Sequence, residues 1–145
     1  MAETSGQVEQ LAASVLDNLR RQHDWTELQI LTHSPVDNSP LPRPLISGLP
    51  PRRLYLHPDD QIEMLKAYPG PEGRIPETPA VEWVLPTHLA EEWTLRAFAS
   101  VFDSMPPPAE TAPGRVKRLL LATVHADSTV VYYFMHDGIV KPRQN

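Results

Sequence analysis

The sequence predicts an α/β fold: one domain over residues 1–145, in which a small mixed β-sheet is packed by helices and ends in a C-terminal β-hairpin. The first observation is size, because 145 residues with 41% hydrophobic content can bury roughly two-thirds of their unfolded surface in one core. The second is that stretches with helical spacing of apolar residues are interspersed with short runs of strand-like composition. The third is a pair of strand-like runs at the end of the sequence, joined by a short polar turn.

The C-terminal hairpin is predicted from two neighbouring runs. Val116–Val124 is rich in leucine and β-branched residues, and Thr129–Met135 is β-branched and aromatic with no helix breaker inside it. Between them, Asp127 and Ser128 have short polar side chains that bond their own backbone and allow a tight reversal. The turn therefore has a chemical basis.

Three helices are predicted. The first spans Ser5–Gln22, where apolar side chains recur every three or four residues and charged ones occupy the other side. A short helix is expected over Pro58–Tyr68, with proline in its first turn. The strongest periodicity lies in His88–Ser104, where Pro86 is expected to end the preceding strand and Thr87 to cap the helix.

Three further strands and three proline-rich loops complete the predicted order. The strands are Trp25–Thr32, Arg52–His57 and Ala80–Leu85. Prolines at high density remove backbone donors and interrupt helices and central strands. They indicate loops at Pro35–Pro51, Pro69–Pro79 and Met105–Gly114.

Charge and composition exclude several classes of protein. The net charge of −5 and the pI near 5.6 argue against wholesale electrostatic binding of nucleic acid, so any RNA contact must be local or shared. The absence of cysteine excludes disulfides, thiolate metal sites and a cysteine nucleophile.

No apolar run approaches the roughly 20 residues that span a bilayer, and the acidic segment Met1–Gln10 is unlike a secretory or transit peptide. We expect neither membrane insertion nor export.

Cofactor, metal and hydrolase chemistry are not predicted. The six histidines have no His-x-x-x-His or related ligand spacing. The sequence contains no P-loop and no Gly-x-Gly-x-x-Gly, and no serine lies in a nucleophile-elbow pattern. We therefore expect no cofactor and no metal.

The end of the sequence resembles a known family. The strings LLLATV, STVVYY and DGIVKPRQN are similar to the end of a tRNA-splicing endonuclease α/β domain, and most of all to the smallest non-catalytic structural subunit of the eukaryotic complex, the fungal-like Sen-fifteen type. The resemblance extends to Val81–Ser104, VEWVLPTHLAEEWTLRAFASVFDS. It implies the fold of the tRNA-intron endonuclease catalytic domain. It also implies a nuclear role as a structural subunit of a heterotetramer that excises introns from precursor tRNA.

The resemblance also bears on catalysis. In catalytic members of the family, a tyrosine, a histidine and a lysine cleave RNA without metal, and the lysine position falls on Lys117 in RVKRLLL. The segment that carries the tyrosine and histidine is not found between Leu54 and Leu85. Only one third of the site is present, and we predict no catalytic residue in this chain.

Pairing with other subunits is the activity that the resemblance implies. In the family, subunits pair through the last strand, so that one sheet runs across two chains, and the partner is a catalytic subunit of the same fold. The isolated chain would form a homodimer through the same edge. In the opposing interpretation, Val130, Tyr132 and Phe134 pack in the chain's own core, and turn chemistry alone explains the aspartates. The predicted interface residues are Asp127, Thr129, Val131, Tyr132, Tyr133, Met135 and Asp137.

Basic residues lie on both sides of the hairpin. Either they contact precursor tRNA in the complex, or they form a solvated rim around the strand pair. Two alternative functions remain open. One is an autonomous RNA-cleaving enzyme that uses Lys117 with a histidine and a tyrosine from unexpected positions. The other is a proline-rich adaptor that docks through Pro40–Pro44. The candidate RNA-contact residues are Arg115, Lys117, Arg118 and Lys141.

Overall fold

The computed structural model of the chain describes residues 5–52, 54, 80–107 and 117–138. Within these ranges, the structure has two helices and five strands. They are α1 (Ser5–His23), β1 (Thr26–His33), β2 (Pro40–Leu49), β3 (Glu82–His88), α2 (Leu95–Asp103), β4 (Arg118–Val124) and β5 (Val130–His136). Neither described helix combines the length and the apolar character that a membrane crossing requires.

The five strands form one sheet in the order β1-β2-β3-β4-β5. Neighbouring strands are antiparallel except β3 and β4, which are parallel. Parallel neighbours need a crossover connection, and α2 lies in the segment that joins them. The sheet is therefore mixed, and the predicted fold class is confirmed.

The core has two parts because strand side chains alternate between the faces of the sheet. Within the described residues, α1 covers one face of the sheet and α2 the other, which gives three layers. The α1-side core contains Val15, Leu19, Trp25, Ile46, Val84, Leu120 and Ala122. The α2-side core contains Leu45, Leu85, Val101, Phe102, Met105 and Leu119.

The hairpin prediction is confirmed. β4 and β5 pair over their whole length, from Arg118 opposite His136 to Val124 opposite Val130, with no register shift. The turn closes through a hydrogen bond from the His125 N–H to the Thr129 carbonyl, 2.8 Å, and Ser128 adopts a left-handed φ of 72°. The predicted helix Ser5–Gln22 and the predicted strand Trp25–Thr32 are also confirmed, within one residue at each end, by α1 and β1.

The loop predicted over Pro35–Pro51 is wrong, because most of it is strand β2. The prolines of β2 are tolerated for a geometric reason: alternate residues direct their backbone N–H to the same side, so Pro40, Pro42 and Pro44 remove donors from one side only. Pairing with β3 covers only Ile46–Gly48, so the part of β2 that contains the prolines is not paired with β3. Pro40–Pro44 is consequently strand, and the structure offers no polyproline helix at this position for an adaptor function.

The boundary between β3 and α2 also differs from the prediction. β3 continues through Pro86 and Thr87 to His88. The carbonyl of Pro86 accepts a hydrogen bond from the Arg43 guanidinium, 3.3 Å, so its backbone faces β2 at a point where the ladder with β2 has already ended. The backbone N–H that Pro86 lacks is therefore not needed for pairing with β2. Thr87 is not a helix cap but a buried strand residue, whose hydroxyl donates to the Ala122 carbonyl at 3.2 Å.

The helix begins at Leu95 rather than His88, because the residues before it are held against β2. Glu91 accepts hydrogen bonds from the Arg43 guanidinium at 2.5 and 3.1 Å and from the His88 N–H at 2.8 Å. The guanidinium carbon of Arg43 also lies 5.3 Å from the ring centroid of Trp93. Thr94 then caps α2, accepting from the Ala97 N–H at 3.0 Å.

Several predictions fall outside the described residues. They are the short helix Pro58–Tyr68, the loop Pro69–Pro79 and most of the loop Met105–Gly114. Of the predicted strand Arg52–His57, only Arg52 and Leu54 are described, and neither lies in a strand. The single domain over residues 1–145 stays a prediction for the complete chain.

Candidate interaction surface

The strongest candidate surface is the edge of the sheet formed by β5, since no described strand lies beyond it. Its sequence, VVYYFMH, contains no proline and no acidic or lysine side chain. Burial, and after it the charge of Arg118, lowers the pKa of His136, which is therefore largely neutral at pH 7. A long, regular, uncharged edge is a template for pairing with another strand.

The opposite edge of the sheet, β1, is built differently. Its pairing with β2 has two register shifts, and Glu27 within it adopts a positive φ of 52°. Irregularities of this kind twist an edge and interrupt its row of donors and acceptors, which protects it from further pairing. Of the two edges of the described sheet, β5 is the one suited to another strand.

Backbone direction in β5 follows from its register with β4. The Asp137 N–H donates to the Lys117 carbonyl and the His125 N–H donates to the Thr129 carbonyl, both at 2.8 Å. One of these hydrogen bonds lies at each end of the β4–β5 ladder. Hydrogen-bonded and non-hydrogen-bonded pairs alternate in an antiparallel ladder. Val131, Tyr133 and Met135 therefore bond toward β4, whereas Val130 and Tyr132 direct their backbone groups away from β4, toward the edge.

The side chains of β5 divide between the two faces of the sheet. Val131, Tyr133 and Met135 lie on the α2 side, and Tyr133 is 54% exposed. Val130 and Tyr132 lie on the α1 side and pack against the α1-side core. The predicted interface thus combines exposed and inward-facing side chains.

Tyr132 is held within its own chain rather than presented as a free ring. Its hydroxyl donates to the Asn18 side chain of α1 at 2.7 Å, and its ring packs edge-to-face with the His23 ring, with 5.3 Å between the centroids. Burial raises the pKa of Tyr132 above its usual range. The Tyr132 ring is therefore engaged within its own chain, whereas its backbone is directed outward, and an interface role for Tyr132 stays a prediction.

The two candidates in and next to the turn have local roles. The Asp127 carboxylate accepts from the Thr129 N–H at 3.0 Å, and the hydrogen bonds of Thr129 lower the pKa of Asp127. The carboxylate is also exposed, so turn formation does not prevent a contact with another chain. Asp137, just after β5, uses its backbone N–H to extend the ladder. An acidic docking role for both stays a prediction.

Two of the four candidate RNA-contact residues are engaged inside the domain. The Lys117 ammonium donates to the Phe102 carbonyl in the last turn of α2 at 2.7 Å, as cations near helix C-termini do. Arg118 pairs with Glu82 at 2.9 Å, with side chains only 16% and 3% exposed. Arg115 and Lys141 lie outside the described residues. Contact with RNA remains a prediction for all four.

No catalytic constellation is formed by the part of the chain that the structure describes. His88 accepts through its Nδ1 from the Ala90 N–H at 3.0 Å, next to a strand end, and the described residues hold no cluster of metal-ligating side chains. His57, Tyr55 and Tyr68 are outside the described ranges. The Lys117 ammonium is bound to the carbonyl of Phe102.

Sequence reasoning missed two features of this surface. Phe134 is absent from the predicted interface and belongs to the core only in the opposing interpretation, yet it is 41% exposed on the α1 side of β5. Glu82 was not singled out, although its buried carboxylate anchors Arg118. An acidic residue inside the apolar string VEWVL was the signal available for Glu82, because a buried carboxylate requires a partner. No pattern in the sequence distinguished Phe134 from its neighbours.

Comparison with known proteins gives matches over most of the sequence. The model of a family described as Sen15 protein matches residues 14–145. A probable tRNA-splicing endonuclease subunit tsp-1 of Neurospora crassa is 51% identical over 93% of the chain, which spans 66% of that relative's length. A probable tRNA-splicing endonuclease subunit sen15 of Schizosaccharomyces pombe is 30% identical, covering 91% of the chain and 80% of the relative. The tRNA-splicing endonuclease subunit SEN15 of Eremothecium gossypii is 28% identical, covering 93% and 91%.

Proposed function

The chain belongs to the Sen15 protein family, and from this premise we propose that it is a non-catalytic structural subunit of a tRNA-splicing endonuclease. It completes the complex by pairing with another subunit and helps to position precursor tRNA for intron excision. The relatives named above are described as subunits of that endonuclease, and a subunit acts by binding its neighbours.

The observation that carries the pairing role is the β5 edge. Its ladder with β4 is regular over seven residue pairs, and the backbone groups of Val130 and Tyr132 are directed outward. A strand of a second chain placed beside β5 would extend the sheet by main-chain hydrogen bonds. The proposed partner is a catalytic subunit of the same fold, within a heterotetramer in the nucleus. The isolated chain would use the same edge to form a homodimer.

The non-catalytic role is supported by the surroundings of Lys117. A cation that stabilises a phosphorane must be free to approach the phosphate. The Lys117 ammonium instead stabilises the end of α2, bound 2.7 Å from a backbone carbonyl. This contact explains a lysine at that position without any reaction.

RNA binding by this subunit would be shared with the rest of the complex. The chain carries a net charge of −5, and Lys117 and Arg118 make intramolecular contacts. Arg115 and Lys141 are the remaining candidates for phosphate contact. Replacing both with alanine should reduce the salt dependence of precursor-tRNA binding by the complex if they neutralise phosphates.

Co-purification followed by cleavage tests the proposal. The chain is co-expressed with candidate catalytic subunits, the complexes are isolated, and each preparation is given precursor tRNA. The proposal predicts a stable complex that excises the intron, and no cleavage by this chain alone. Cleavage by the purified chain, lost in Lys117→Ala, would establish an enzyme instead.

A further inference from the structure

A pocket opens between the end of α1 and the outer strand β5. It has a volume of about 260 Å³. Its walls come from α1, from Trp25 just after α1, from Leu54 and from the α1 side of β4 and β5. The lining residues are Leu19, His23, Trp25, Leu54, Leu120, Tyr132 and Phe134.

The lining indicates what the pocket can hold. Apart from the His23 imidazole and the Tyr132 hydroxyl, which already donates to Asn18, the walls are hydrocarbon and aromatic. A charged or phosphorylated ligand would lose its hydration without a compensating partner. A cavity of about 150 Å³ with apolar walls accommodates a benzene molecule, so this volume suits one large apolar side chain.

The position of the pocket relates it to the β5 edge. Two of its lining residues, Tyr132 and Phe134, belong to β5, and both lie on the α1 face of the sheet. A strand added beside β5 would lie about 4.8 Å away, and its side chains on the same face would stand next to those two rings. The pocket is therefore continuous with the surface on which a partner strand would pack.

We propose that this pocket, named here the α1–β5 pocket, receives one aromatic or large aliphatic side chain from the partner strand that pairs with β5. This inference rests on the proposed function, since it requires that the strand be there. The partner strand is expected to be uncharged where it crosses Tyr132, because β5 itself carries no acidic or lysine side chain to match a charge. The main-chain hydrogen bonds contribute affinity, and the side chain bound in the pocket contributes specificity for the partner.

Filling the pocket from within the chain tests the proposal. Leu54 is 38% exposed in the pocket wall, so Leu54→Trp places an indole where the partner side chain would bind. The matched control is Leu95→Trp, a leucine 59% exposed on α2, on the opposite side of the sheet. Both variants and the unchanged chain are titrated with the endonuclease subunit identified by co-purification. Thermal melts of each variant alone verify that folding is unchanged.

The proposal predicts that Leu54→Trp weakens binding by roughly tenfold or more, the scale of one hot-spot side chain, while Leu95→Trp changes it little. Equal binding by all three chains would overturn the pocket inference and leave the proposed function intact. Failure of the unchanged chain to bind any subunit would overturn both. A homodimer of the isolated chain uses the same edge, so Leu54→Trp should weaken it more than Leu95→Trp does, and equal weakening by the two variants would contradict the pocket inference.

Discussion

Breaking the ion pair between Arg118 and Glu82 should be one of the more destabilising single changes in this fold, because it leaves a buried charge unpaired. Arg118→Met removes the cation and leaves the Glu82 carboxylate buried, with only 3% of its side chain exposed. Removing one partner of a buried pair typically costs about 3 to 5 kcal/mol. Since the arginine is 16% exposed, we expect the lower end, about 3 kcal/mol. For a chain of this size, that corresponds to a decrease in Tm of about 10 °C.

Urea denaturation followed by tryptophan fluorescence measures this loss directly. The control is Arg21→Met, whose partner Asp17 is half exposed and whose ion pair should contribute about 1 kcal/mol or less. The double variant Glu82→Met, Arg118→Met should be more stable than the sum of the single losses predicts, because neither charge is then left unpaired. If Arg118→Met and Arg21→Met have the same free energy of unfolding, the buried ion pair does not stabilise the fold.

Three further predictions concern single contacts. Tyr132→Phe removes the hydrogen bond to Asn18 and should lower the free energy of unfolding by about 1 kcal/mol, measured in urea. Lys117→Met should cost about 1 kcal/mol through the end of α2, yet leave precursor-tRNA cleavage by the assembled complex unchanged; a selective loss of cleavage would contradict a structural role. Burial raises the pKa of Glu91, but hydrogen bonds from Arg43 and from the His88 N–H outweigh it, so the pKa lies below 4.5. The stability that Glu91 contributes is therefore fully present above about pH 4.5 and is lost as the pH falls through the lower pKa of the folded state. Glu91→Gln should therefore reduce the decrease of Tm at acidic pH, which a series of thermal melts measures.

Local signals were sufficient to predict the hairpin and the first helix. The amphipathic spacing in α1 and the Asp127 turn act within a few residues, and the structure places each as expected. Spacing and turn chemistry determine such elements because their stabilising contacts are close in sequence.

The prolines were misread because their effect depends on distant strands. Pro42 and Pro44 are compatible with β2 since pairing with β3 begins only at Ile46. Pro86 is compatible with β3 because its backbone faces a position where that pairing has ended. The register between segments far apart in sequence determines where a ladder ends. Local sequence patterns carry no information about that register.

The geometry of the candidate surface was predicted in part. The edge position of β5 and its alternation followed from the sequence, but which ring is covered depends on the placement of the helices. Tyr132 is held by Asn18, more than a hundred residues away in sequence, whereas Phe134 stays 41% exposed at the pocket. Such pairings arise from tertiary packing, so no single-segment pattern could have ranked these two rings.

Pairing through the β5 edge is tested most directly by a proline at position 132. The Tyr132 N–H is directed away from β4, so Tyr132→Pro removes an edge donor and spares the ladder with β4. Tyr132→Ala removes the same ring but keeps the N–H, and it serves as the matched control. Each variant is co-purified with the catalytic subunit after thermal melts establish that it folds. The account predicts a complex with Tyr132→Ala and none with Tyr132→Pro; equal recovery of the complex with both would contradict strand pairing at β5.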